Sequence, residues 1–179
     1  MPDIICAGFG GQGVLTLGLI LSKTAMENGK NVTWIPSYGS EMRGGTANCN
    51  VKIVDGKVAS PFVKEPNIVV AMNQPSVDKF APMLADGGLL IVNTSIVENT
   101  SIRGNIEVYG VAASDIAQEE KNLKGANIVM MGALAATGIL LDSKTLLEGM
   151  QEFFASKGRS SPKNDTCFLR GENEAIKLH

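Results

Sequence analysis

The chain has 179 residues, 44% of them hydrophobic, and carries 16 basic against 18 acidic side chains for a net charge of -2. That balance, with no basic run or basic-aromatic patch, gives no reason to expect a nucleic-acid partner, and the length suits one domain with a full core. A single histidine, at the last position, excludes Ser-His, Cys-His and His-ligated metal chemistry. The three cysteines, Cys6, Cys49 and Cys167, are too far apart for a zinc or iron-sulfur set and read as reduced, buried thiols; no metal site is expected. Met1-Pro2-Asp3 lacks a basic signal-peptide start, which predicts a cytoplasmic protein. The longest apolar run, Ile128 to Leu141, is shorter than the ~18–20 residues a membrane span requires, so no membrane partner is expected.

The first predicted element is the strand Ile4-Ile5-Cys6-Ala7, which runs into Gly8-Phe9-Gly10-Gly11-Gln12-Gly13 and then into an apolar-periodic helix, Val14 to Met26. Glycines allow the positive φ angles of a tight turn, and the N–H groups at the helix start attract an anion. The spacing is G-x-G-x-x-G, which suits either phosphate binding or simply close packing of strand on helix. A complete dinucleotide site also needs an acid at the end of the second strand, to hold the ribose. That strand reads Asn31-Val32-Thr33-Trp34-Ile35 and ends at Pro36-Ser37-Tyr38 without one, which disfavours an NAD site. No Gly-Lys-Ser or Gly-Lys-Thr makes the loop a Walker motif.

Ser37-Tyr38-Gly39-Ser40-Glu41-Met42-Arg43-Gly44-Gly45 follows, at the carboxyl edge where open α/β sheets bind ligands. Tyr38 offers a flat wall and a hydroxyl, Arg43 a planar fork for carboxylate or phosphate, and Glu41 a partner that orients Arg43. A solvated turn with a Glu-Arg pair is the plainer reading. Thr46 to Val54 alternates as a strand, and Asp55-Gly56 predicts a hairpin returning through Lys57 to Ser60. Asn67 to Asn73 reads as a buried parallel strand and Gln74 to Leu84 as a helix, with further strands at Leu89 to Val92 and Ile106 to Val111. A helix is expected from Ala113, a small-residue helix over Ala126 to Leu141, and an Asp142-capped helix over Lys144 to Lys157. Residues 159–179 read as a polar C-terminal tail anchored by Phe168-Leu169. The fold class is α/β: a Rossmann-like, doubly wound, mostly parallel sheet with an inserted β-hairpin and C-terminal helices.

In order along the chain, the glycine loop, the Ser37 to Gly45 loop, Asn73-Gln74-Pro75 and Ala126-Asn127 leading to Met131-Gly132-Ala133-Leu134 resemble the gamma subunit of 2-oxoacid:ferredoxin oxidoreductases, the pyruvate, 2-ketoisovalerate and 2-oxoglutarate family. The resemblance implies a cytoplasmic complex that oxidatively decarboxylates a 2-oxoacid to an acyl-CoA and reduces ferredoxin. It implies alpha and beta partner subunits, and a delta ferredoxin-like one, that hold thiamine diphosphate, magnesium and iron-sulfur clusters. This chain, a single gamma domain over residues 1–179, would bind no cofactor tightly alone and would carry no catalytic residue. It would contribute a coenzyme A-side anion site at the subunit interface and self-associate when isolated. In that site Gly8, Gly10, Gly11 and Gly13 form the backbone cradle and Gln12 is an amide donor at the helix start. Arg43 is the anion contact, held by Glu41, with Ser37, Tyr38, Gly39, Gly44 and Gly45 around it. Asn127 bonds across to a neighbouring loop or subunit, or else caps its own helix. A stand-alone nucleotide- or flavin-binding module is the alternative. The 2-oxoacid stays open, with 2-oxoglutarate and branched-chain acids preferred.

Overall fold

The computed structural model describes residues 2–38, 46–56, 60–102 and 104–179. Strands β1 (Asp3–Phe9), β2 (Asn31–Tyr38), β3 (Thr46–Val54), β4 (Ile68–Ala71), β5 (Leu89–Asn93), β6 (Glu107–Val111) and β7 (Ile176–Lys177) form one sheet in the order β2-β3-β1-β4-β5-β6-β7. The helices are α1 (Val14–Glu27), α2 (Gln74–Phe80), α3 (Ala113–Glu119), α4 (Ala126–Ala136), α5 (Ser143–Ala155) and α6 (Pro162–Glu174). Pairings β1-β4-β5-β6 are parallel, while β3 runs antiparallel to both β1 and β2, and β7 antiparallel to β6. Five of the seven strands therefore point the same way, as a doubly wound sheet requires.

Side-chain alternation along β1 divides the core. Ile4 and Cys6 face a cluster that includes Leu17, Ile20 and Leu21 of α1, whereas Ile5 and Ala7 face Val77 and Phe80 of α2. The central strands β4 and β5 are buried at every position, as strands covered on both faces are.

The antiparallel ribbon is made differently from the expected hairpin. Residue 57–59 of the proposed return arm lie outside the described residues, and Ser60 is not in a strand. Both edges of β3 are already occupied, with Cys49 opposite Cys6 on one side and Pro36 on the other. The hairpin partner of β3 is β2, which also means that β3 separates β2 from β1. Pro36 is accommodated because β2 is the sheet edge, where a missing N–H costs no ladder bond.

Two helix boundaries and the C-terminal tail differ from expectation. Helix α2 stops at Phe80 and continues only as a short 3-10 turn, Ala81–Met83, which contains Pro82. Helix α4 ends at Ala136 rather than Leu141, and Gly138 follows at φ 65°. The polar segment after Arg159 forms α6 and β7. Ser161 caps α6 at the Lys163 N–H (3.3 Å), Phe168 is fully buried, and Leu169 stays on the solvent side. Gly132 of α4 lies against the Phe168 carbonyl, and Gly171 of α6 against the Val129 carbonyl, so the two backbones touch. The anchor is thus Phe168 together with two glycines.

Candidate functional site

Helices α1 and α2 leave the adjacent parallel strands β1 and β4 toward opposite faces. This opens a crevice at the carboxyl ends of the strands, the general ligand position in such sheets. The glycine loop occupies it. Gly11 (φ 95°) and Gly13 (φ 77°) adopt the left-handed conformation that other residues rarely take, and the Gln12 N–H closes the turn on the Phe9 carbonyl at 3.1 Å.

Gln12 does not present its carbonyl end outward. Its Oε1 accepts the Phe9 N–H at 2.6 Å and the Asn73 Nδ2 at 3.1 Å. Facing a backbone donor fixes the oxygen on that side, so Gln12 ties the loop down internally instead of acting simply as a donor at the helix start. Asn73 in turn caps α2, its Oδ1 accepting the Ser76 N–H at 2.9 Å. The first glycine also has a packing task. A Cβ at Gly8 would sit 2.7 Å from Gln12 Oε1 and 2.9 Å from both Met72 Cβ and Val14 Cγ1. Gly10 and Gly11, by contrast, are exposed.

Helix α1 begins at Val14 with Gly13 as its cap, without a side chain bonded to its first turn and without an acid there. The first-turn N–H groups that lack intrahelical partners, together with the helix dipole, make this end attractive to an anion. Asn127, on the second residue of α4, donates its Nδ2 to the Gly13 carbonyl at 3.0 Å. The cap position of α4 is Gly125, so Asn127 bridges to the loop and is not a helix cap. Its Oδ1 is buried without a hydrogen-bond partner among the described residues, although the residue is only 4% exposed.

A cavity of about 600 Å³ opens over this helix start. Its floor is Gly10, Gly11 and Gly13; its far wall carries Phe154 and three cations, Lys124, Lys157 and Arg159. Lys157 Nζ stands 4.8 Å above the Phe153 ring, and none of the three cations pairs with a carboxylate among the described residues. The site is therefore cationic on one side, backbone-lined on the other and aromatic between.

Sequence reasoning missed these three cations. Lys124 precedes α4, while Lys157 and Arg159 flank Gly158 after α5, so nothing in their local pattern joins them to a loop more than a hundred residues earlier. The strand ends that flank the second predicted loop reach the same edge: Gly8 is paired with Ala47, Ala47 with Tyr38, and Ala47 lines the cavity. Ser37 is exposed at the end of β2, abreast of Asn48. Gly39, Glu41, Arg43, Gly44 and Gly45 lie outside the described residues, as does the Tyr38 side chain.

A family model for pyruvate ferredoxin/flavodoxin oxidoreductase matches residues 3–174. The chain is 41% identical over 152 residues to the ketoisovalerate oxidoreductase subunit VorA of Methanothermobacter thermautotrophicus; the match covers 84% of this chain but spans only 31% of that protein. It is 31% identical over 179 residues to the 2-oxoglutarate synthase subunit KorC of Methanocaldococcus jannaschii, covering 98% of this chain and 95% of that one. Among solved structures, the gamma subunit of a keto/oxoacid ferredoxin oxidoreductase from Geobacter sulfurreducens superposes with a TM-score of 0.79 at 26% identity, covering 97% and 98% of the two chains. The fold also matches, at a TM-score of 0.83 and 22% identity, 31% of a chain of the 2-oxoglutarate:ferredoxin oxidoreductase of Magnetococcus marinus, solved with 2-oxoglutarate, coenzyme A and succinyl-CoA bound. From strand order to the glycine-led helix start, this chain belongs to the pyruvate ferredoxin/flavodoxin oxidoreductase family and has the fold of its gamma subunits.

Proposed function

We propose that the chain serves as the gamma component of a 2-oxoacid:ferredoxin oxidoreductase, and that its glycine-loop cavity takes the phosphate-bearing end of coenzyme A. Alpha and beta subunits, with a delta ferredoxin-like one, supply the thiamine diphosphate, magnesium and iron-sulfur centres of the oxidative decarboxylation, and ferredoxin accepts the electrons. Pyruvate, 2-oxoglutarate and branched-chain 2-oxoacids are all open as the substrate, the latter two preferred, and the relatives matched include subunits named for each. The cytoplasm is its compartment.

One observation carries the ligand reading: a single cavity joins an uncapped helix start, three cations and a phenylalanine wall. Coenzyme A has the matching parts. Its diphosphate suits the N–H groups at Gly13 and Val14, its further phosphate suits Lys124, Lys157 and Arg159, and its adenine suits the face of Phe154. Arg43, with Glu41 as its partner, is a further anion contact proposed on the sequence alone, since both lie outside the described residues.

The test uses the assembled complex. Lys157→Ala combined with Arg159→Ala removes charge-assisted contacts of roughly 1.5–3 kcal/mol each, so the KM for coenzyme A should rise by about 100-fold or more. Coenzyme A-independent steps at the 2-oxoacid should keep their rates. Arg43→Ala should shift the same KM. An unchanged KM in both variants overturns the ligand role, and tight binding of a nucleotide or flavin by the isolated chain would support the stand-alone module in its place.

A further inference from the structure

Two cysteines that the coenzyme A reading does not use lie directly beneath the glycine loop. Cys6 of β1 and Cys49 of β3 are register partners in an antiparallel pair, so their side chains project from the same face of the sheet. Both belong to the cluster under α1 and both are fully buried. Opposed residues of an antiparallel pair have Cα atoms about 4.5–5.5 Å apart, inside the roughly 4.4–6.8 Å that a disulfide spans.

The two sulfurs have different surroundings. Cys49 Sγ fills the notch left by the missing side chain of Gly18 and donates to the Val14 carbonyl at 3.5 Å, in the first turn of α1. The indole Nε1 of Trp34 faces the same notch, 3.1 Å from where a Gly18 Cβ would stand, and has no hydrogen-bond partner among the described residues. The hydrogen bond from Cys6 outweighs burial and lowers the Cys49 pKa; the Cys6 thiol is pushed up by donating to Cys49 and by burial. One thiol is thus disposed to become the nucleophile and the other to keep its proton. Cys167 is elsewhere, in α6 beside Asn122 (3.6 Å), and is raised by burial.

We propose that Cys49 and Cys6 form an oxidisable dithiol, attacking and resolving thiol respectively, which a peroxide converts into a cross-strand disulfide at the base of the glycine loop. The Cys49 sulfur attacks the peroxide oxygen, the O–O bond breaks, and a sulfenic acid forms with release of water. The Cys6 sulfur then displaces that hydroxyl as a second water, making the S–S bond. Two thiols lose two electrons in total and the peroxide is reduced to two waters. The disulfide replaces the contact of Cys49 with the Val14 carbonyl and ties β1 to β3 two residues before Gly8, so oxidation state is transmitted to the helix start of the site.

Hydrogen peroxide added to the full chain, followed by denaturation and thiol counting, tests this. The expected result is loss of two of the three thiols, a Cys6–Cys49 cross-linked peptide on non-reducing mapping, a change in the emission of Trp34, the chain's single tryptophan, and full reversal by dithiothreitol. In Cys6→Ser, dimedone should label Cys49 and no intramolecular disulfide should form. If that variant does not fold, the peptide map of the unaltered chain decides alone. Preferential oxidation of Cys167, cross-linking only between chains, or retention of all three thiols where free cysteine is oxidised would overturn the proposal.

Discussion

Glycine does opposite things at two places in this molecule. Where α4 crosses α6, the space a side chain would need is filled by another backbone: the Phe168 carbonyl at Gly132 and the Val129 carbonyl at Gly171. At the glycine loop the backbone is turned outward, Gly11 has no neighbour within 4 Å of its missing Cβ, and the vacant space is the cavity itself. The first arrangement converts missing side chains into helix contact. The second converts them into access for a ligand, with Gly13 as the intermediate case because its missing Cβ makes room for Asn127. Close packing penalises any atom added at the crossing, while the loop is limited mainly by backbone conformation.

The largest effect that would sharpen this contrast is Gly132→Ala. The added methyl meets backbone atoms that cannot swing aside, so a loss of about 3 kcal/mol is expected in urea unfolding; a loss below about 1 kcal/mol would show that the crossing yields. Gly13→Ala comes next. It combines a left-handed φ with a methyl 2.6 Å from Asn127 Nδ2, and about 2 kcal/mol should be lost together with the bridge to α4. Gly11→Ala meets no atom and should cost about 1 kcal/mol through φ alone, so the order Gly132, Gly13, Gly11 is itself the check. Lys157→Ala with Arg159→Ala should leave stability within about 0.5 kcal/mol, since the effect belongs to the ligand.

The smallest effect concerns the surface tie that holds α6 in place. Arg170 bonds Glu174 at 2.6 Å, Glu119 at 2.8 Å and Glu120 at 2.9 Å, linking α6 to the end of α3. The Arg170 guanidinium holds the Glu174 carboxyl below its ordinary range. A carboxylate whose folded pKa is lowered stabilises the fold above its unfolded pKa, about 4.3, and loses that contribution as pH falls through the lower folded value. Glu174→Gln should therefore be slightly less stable than the unaltered chain at pH 7, and the gap should close as pH falls through the lowered folded pKa. A gap that persists in acid would mean the side chain acts through packing.

Much of the fold was legible because its signals are local. The strand–glycine–helix start, the alternation from Thr46 to Val54 and the Asp142 cap, which binds the Thr145 N–H at 3.0 Å, depend on near neighbours. The tail was misread for the same reason. Helix α6 is polar along most of its length, and its place in the core rests on Phe168, Cys167 and the close approach of Gly171, none of which shows until α4 is beside it. Gln12 was legible as a loop residue, but not its inward turn to Asn73, sixty-one residues away.

The sequence by itself determined that an α/β chain would place an anion-attracting helix start at a sheet edge, since glycine conformations and hydrophobic periodicity act over a few residues. Only the tertiary structure decided that β3 would enter between β1 and β2, because both edges of that strand compete for partners across the whole sheet. The same long-range packing brought Lys124, Lys157, Arg159 and Asn127 to the glycine loop and set Cys6 opposite Cys49. Those groups share no local pattern, and only burial of the apolar faces of α1, α4 and α5 against one another fixes their meeting.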